Sequence, residues 1–108
     1  MSELEKLMVR LRKFRDERGW RGYHTLKNLA AAISVEAAEL LEIFQWVKEE
    51  KEREVLKSKR EQIEEEVADV LIYLLFFCDA AGIDPLKAAE KKMNKNEVRF
   101  SLDRVWRF

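Results

Sequence analysis

Histidine and cysteine occur once each, proline once and glycine three times in these 108 residues. The lone Cys78 cannot form an intramolecular disulfide, which excludes a disulfide-stapled secreted domain. One histidine with one cysteine also excludes a zinc site built from those ligands within a single chain. So little glycine and proline argues against a strand-rich fold, whose tight turns need both. A charge excess is absent too: 21 Lys and Arg balance 21 Asp and Glu. No bulk basic field exists to recruit nucleic acid. The longest apolar run, Val70 to Cys78, falls far short of the ~20 residues that span a bilayer. The N-terminal Met1-Ser2-Glu3-Leu4-Glu5 is charged and lacks the apolar segment of a secretory leader. The expectation is a cytoplasmic protein with no membrane or nucleic-acid partner.

What remains is 47% hydrophobic and 39% charged. Glu, Lys and Arg dominate the charge, and all are good helix formers. At roughly 100–200 residues per domain, the chain forms one domain over residues 1–108. The expected fold is all-α, a bundle of four helices. The first runs from about Ser2 to Arg18, with Ser2 as N-cap and Glu5 as its capping-box partner; Gly19 ends it. The second starts at Thr25 and reaches about Lys48. Leu26, Leu29, Ala30, Ile33, Ala37, Leu40, Leu41, Phe44 and Val47 give it one wide apolar face. The charged stretch Glu49 to Lys59 is expected to be a solvated connection or a frayed helix end. The third helix covers about Ser58 to Ala81. From Val70 to Cys78 it is apolar all round, which demands burial on every side. So short a chain barely surrounds such a helix, so a homo-dimer or homo-tetramer is expected to complete the bundle. Gly82 stops this helix, and Asp84 with Pro85 starts a fourth, to about Asn96. The aromatics of the tail, Phe100, Trp106 and Phe108, are expected to pack on the bundle or on a neighbouring subunit. Cys78 reads as a small buried apolar residue.

Two pairs of acids lie where acids should be scarce. At about 100° per residue, Glu36 and Glu39 share a flank with Leu29, Ala32 and Ile43, away from the open polar face. Glu66 and Asp69 repeat the arrangement on the third helix, among Tyr73 and Phe76. Helices joined by a short connection are commonly antiparallel neighbours, so the pairs can face one another. Four ionised carboxylates cannot share a half-buried pocket unpaired; their pKa values rise or cations enter. An all-oxygen set suits Mg²⁺, with Mn²⁺ as substitute, and such sites commonly take substrate phosphates as further ligands. A di-iron bundle would need Glu-x-x-His on two helices, and only His24 exists.

Glu36-x-x-Glu39 followed by Glu66-x-x-Asp69 resembles the MazG-like superfamily of all-α nucleoside triphosphate pyrophosphatases. Trp20-x-x-x-His24, Lys27-Asn28-Leu29, Phe44-Gln45-Trp46 and Asp69-Val70-Leu71-Ile72-Tyr73-Leu74 resemble its dCTP pyrophosphatase branch. So does the C-terminal block of Lys92-Met93, Asn96 and Arg99-Phe100. The resemblance covers roughly residues 10 to 100. It implies Mg²⁺-dependent hydrolysis of a (d)NTP between the α and β phosphates, giving (d)NMP and pyrophosphate. It implies Glu36, Glu39, Glu66 and Asp69 as metal ligands. A carboxylate among them can orient or deprotonate the attacking water, with Glu39 and Glu36 as the catalytic candidates. Trp20, His24, Trp46 and Tyr73 map onto nucleoside-holding positions, and Lys92, Asn96 and Arg99 onto the phosphate side. The place matching a first-helix histidine of vertebrate-type relatives is near Leu11, which cannot hydrogen-bond a base.

Plainer roles compete. Trp20 can plug the bundle end, Trp46 can be core or subunit interface, Tyr73 can be packing, Asn96 can cap its helix, and Lys92 and Arg99 can be surface charges. For the whole chain the alternatives are a same-fold hydrolase of dUTP or phosphoribosyl-ATP, and a non-catalytic helical interaction module.

Overall fold

The computed structural model describes residues 1–103; the expectations for Trp106 and Phe108 lie outside them. Among the described residues there are five α-helices and no strand: α1 (Glu3–Glu17), α2 (Leu26–Phe44), α3 (Glu52–Ser58), α4 (Arg60–Ala81) and α5 (Pro85–Arg99). Local chemistry sets most boundaries. The Ser2 hydroxyl accepts from the Glu5 N–H and the Thr25 hydroxyl from the Asn28 N–H, each at 3.1 Å. These bonds satisfy helix-start donors that would otherwise be orphaned. Gly82 ends α4 in the left-handed region at φ 67°, where a side chain would be strained. Asp84 then accepts from Leu86 and Lys87 to open α5 behind Pro85.

Three expectations are corrected by the fold. Glu49 to Lys59 is structured: a single 3-10 turn precedes α3, anchored by half-buried Val55 and Leu56. A charged sequence with two adjacent apolar residues thus makes a short packed helix against α4. Second, α2 ends at Phe44 and α5 continues to Arg99. Third, the described residues form five α-helices where four were expected. Helix α4 is not covered on every side within one chain, in keeping with a chain too short to surround it. Leu75, Phe76 and Cys78 are buried, but Leu71 and Leu74 stay 46% and 41% exposed.

The main pairing is α2 on α4. Leu29 and Ala32 share a cavity with Tyr73, whereas Glu36 and Glu39 meet Glu66 further along, so the two helices run antiparallel. The face of α2 that enters the core is the flank of Leu29 and Ile43, not one centred on Leu26, which is 49% exposed. That is the flank carrying the two glutamates. Met8 and Leu11 of α1 close the core over Leu29, Leu75 and Phe76. Helix α5 has no buried residue.

Candidate functional site

Glu36, Glu39 and Glu66 bring carboxylate oxygens within 4.8 Å of one another. Residues three apart on a helix are neighbours, and the packing of α2 on α4, with Leu29 against Leu75 and Phe76, carries both α2 acids inward. All three are half-buried. Glu36 Oε2 and Glu66 Oε2 are shielded from solvent and have no hydrogen-bond partner. A buried oxygen left without a donor is costly. A hard divalent cation supplies what both oxygens lack, so the residues present fit such an ion. The electrostatics agree. The neighbouring Glu39 carboxyl, then burial, then the charges of Glu39, Asp69 and Glu66 push Glu36 up to about 7. Burial, followed by Glu39 and Asp69, also raises Glu66. Like charges crowded together hold a proton until a cation replaces it. Asp69 stands outside the close trio, yet its charge bears on both Glu36 and Glu66.

Asp69 also lines a cavity of about 460 Å³ between α1, the loop after it and α4. Trp20, His24 and Tyr73 line this cavity with it, together with Leu7, Arg10, Leu11, Phe14, Ile72 and Phe76. Trp20, His24 and Tyr73 also border an adjoining hollow of about 340 Å³ reaching Asn28 and Leu29. Thus three of the four expected nucleoside residues converge beside the acids. The loop is held by a backbone turn: His24 N–H donates to the carbonyls of Trp20 and Arg21, both at 3.2 Å. The Asn28 amide donates to the Tyr23 carbonyl at 3.0 Å. Aromatic edges fix the wall. Trp20 meets Phe14 at 5.3 Å and His24 meets Phe76 at 4.7 Å, both edge-on, a favoured aromatic geometry. Burial, then the Arg15 charge, lowers the His24 pKa, so its imidazole is neutral at neutral pH.

The remaining expected residues stay apart within one chain. Trp46 is 87% exposed beyond the end of α2, so it is not core. Lys92 and Arg99 are exposed and Asn96 is half-buried on α5. Asn96 does not cap its helix: α5 runs on to Arg99, and the Asn96 carbonyl accepts from Phe100 N–H at 2.7 Å.

Residues 31–104 match the MazG-like family. The chain belongs to that family. This MazG-like chain is 36% identical over 90 residues to dCTP pyrophosphatase 1 of Bos taurus and of Homo sapiens. It is 33% identical over 90 residues to that of Rattus norvegicus. In each case 82% of the chain aligns with 53% of the relative, so the chain spans about half the length of the curated relatives it matches. A solved structure of a pyrophosphatase from Archaeoglobus fulgidus DSM 4304 superposes with a TM-score of 0.91 at 55% identity, covering 94% of both chains.

The cavity wall contains residues that sequence reasoning does not assign to the site. Leu7, Leu11 and Phe14 lie on the apolar stripe of α1, whose spacing shows a core face but not which part of it stays open. Phe76 stands out in the sequence only as a neighbour of Asp69. Arg10 gives no periodic signal at all.

Proposed function

We propose that this chain, acting as a single domain, is a Mg²⁺-dependent nucleoside triphosphate pyrophosphatase that takes dCTP-like or modified pyrimidine nucleotides. It adds water across the bond between the α and β phosphates and releases (d)NMP and pyrophosphate. The observation that carries this reading is the trio of Glu36, Glu39 and Glu66, with two buried, unpartnered oxygens, beside an aromatic-walled cavity. The pyrimidine assignment is supported by the dCTP pyrophosphatases among the relatives.

Glu36, Glu39 and Glu66 hold the cation, with Asp69 as the fourth carboxylate at the cavity edge. When bound, Mg²⁺, or Mn²⁺ in its place, supplies charge neutralisation at phosphate oxygens and acidifies water. Glu39 has the further task of orienting the attacking water, with Glu36 beside it as the second catalytic carboxylate. Trp20 and Tyr73 offer faces on which a base stacks, and neutral His24 offers one hydrogen-bonding edge.

Lys92, Asn96 and Arg99 hold the leaving pyrophosphate. They reach it through homo-dimerisation or tetramerisation, in which α5 of one copy meets the acids of another. Support comes from α5, which has no buried residue, and from the exposed apolar side chains Val35, Leu41, Val67, Leu71 and Leu74 on α2 and α4. The radius of gyration, 17.2 Å, also exceeds the about 13 Å expected of a compact chain this long. Trp46 joins the nucleoside site only across such an interface. No helix among the described residues is long and apolar enough to cross a membrane. A cytoplasmic enzyme of nucleotide pools, with no nucleic-acid partner, fits this reading.

The test is a pyrophosphate assay over dNTPs and NTPs, including methylated and oxidised bases, with Glu39→Ala and EDTA controls. Pyrophosphate from one subset, lost in both controls, supports the reading and names the base. Turnover of dUTP or phosphoribosyl-ATP alone moves the substrate. Orthophosphate release means another bond is cut. No turnover and no Mg²⁺ binding leaves a helical interaction module.

A further inference from the structure

Arg15 is 4% exposed, in a core otherwise apolar. Its Nη1 donates to Asp79 Oδ2 and its Nε to Asp16 Oδ1, both at 2.8 Å. Arg12 Nε takes the other Asp79 oxygen at 2.8 Å. Burial alone would raise the Asp79 carboxyl, but Arg12 and Arg15 outweigh it and hold it below the usual range. The end of α1 is thereby clamped to α4 by charge-assisted bonds.

The backbone of the same residue anchors the loop after α1. The Arg15 carbonyl accepts from Trp20 N–H at 3.1 Å, and the Trp20 carbonyl accepts from His24 N–H at 3.2 Å. A chain of direct contacts thus runs from Asp79 through Arg15 to two residues of the cavity wall. Two buried nitrogens in this region have no partner, Arg15 Nη2 and His24 Nδ1. A guanidinium nitrogen can only donate, and the Arg15 charge reaches His24. A positive field at a buried ring nitrogen favours a lone pair there over a proton, and so favours the Nε2–H form.

We propose that Arg15, clamped by Asp79, is a positioning residue for the nucleoside wall: it holds the Trp20–His24 segment against α4 and fixes the His24 imidazole in its Nε2–H form. The wall then offers a donor at a set place rather than a ring that samples both tautomers. The other charged side chains lining the same cavity, Arg10 of α1 and Asp69 of α4, are common to every variant tested. The kinetic half of this inference rests on the pyrophosphatase reading; the tautomer half does not.

His24 is the sole histidine, so its two ring nitrogens are identified without further variants by long-range proton–nitrogen NMR. At pH 7.5 the wild-type chain should show the Nε2–H pattern. Arg15→Met, which removes the charge, should give a tautomer mixture, whereas Asp79→Asn, which keeps it, should not. Both should raise KM for the preferred nucleotide about tenfold, the loss of roughly one hydrogen bond to the base, with kcat within about twofold and Mg²⁺ affinity unchanged. Helical circular dichroism checks folding; if Arg15→Met does not fold, the equally uncharged Arg15→Gln carries the comparison. A wild-type ring in the Nδ1–H form or already mixed overturns the proposal. So do a folded Arg15→Met chain with unchanged tautomer, and a fall in kcat at constant KM. If the wild type turns over no nucleotide, the pyrophosphatase reading fails alone, and the tautomer result decides on Arg15.

Discussion

Acidification should weaken Mg²⁺ binding at the Glu36, Glu39 and Glu66 centre by a calculable factor. Glu36 titrates at about 7 because Glu39, burial and further carboxylates disfavour its charge. A cation needs the deprotonated ligand, so proton and metal compete. For one group at about 7, the competition factor grows from near one at pH 8 to about eleven at pH 6. The apparent dissociation constant should therefore rise about tenfold across that interval. Glu66, also raised, adds to the effect at the acid end. The same linkage requires about half a proton to leave per cation bound at pH 7, nearly none at pH 8 and most of one at pH 6. Isothermal titration with MgCl₂ at the three pH values, in two buffers of different ionisation enthalpy, measures affinity and proton release together. Equal affinity at pH 6 and pH 8 with no buffer dependence would rule out this competition, as would tighter binding at pH 6.

The perturbed carboxyl also bears on stability. A group raised from 4.5 in the unfolded chain to about 7 in the fold contributes stability below the lower value, and that stability is lost as pH rises through the upper one. Glu36→Gln should accordingly raise the melting temperature of the metal-free protein at pH 8, have little effect at pH 5, and abolish both turnover and stabilisation by Mg²⁺. A variant that melts lower at pH 8 contradicts this. Trp20→Ala should raise KM about ten- to hundredfold while kcat changes little, the loss expected for one base-stacking surface; steady-state kinetics read it. Leu29→Ala removes a side chain only 1% exposed in the core. It should cost about 3 kcal/mol, a fall on the order of 15 °C in thermal denaturation. Sedimentation equilibrium should give the mass of two or four chains; a concentration-independent mass near 12.9 kDa would remove the subunit-completed site.

The parts of this fold governed by neighbours in sequence are legible in the sequence itself. Ser2, Thr25, Gly82 and Asp84 with Pro85 act within a few residues, and each stands where its local chemistry puts it. The acid trio is legible for a related reason: glutamates beside apolar residues at helical spacing cannot all point to water. What a periodicity cannot decide is which edge of a wide apolar face is buried deepest. Helix α2 illustrates this, burying Leu29 and Ile43 while Leu26 stays 49% exposed. Arg15 is equally hidden. Its partner Asp79 lies 64 positions away, and nothing beside Arg15 in the sequence separates it from the exposed cations of α1. Trp46 and the α5 residues Lys92, Asn96 and Arg99 carry motifs without carrying their neighbours, because their surroundings are not set by this chain's own local sequence.

If a cation on these carboxylates directs cleavage of the α–β phosphate bond, the products of one nucleotide reveal it. Phosphorus NMR of dCTP with the protein and Mg²⁺, followed until the substrate is consumed, reads the bond that breaks. The expected spectrum shows dCMP and pyrophosphate appearing together in equal amounts, with neither in EDTA or with Glu39→Ala. Accumulation of a nucleoside diphosphate with orthophosphate, or cleavage that persists without divalent cation, would contradict it.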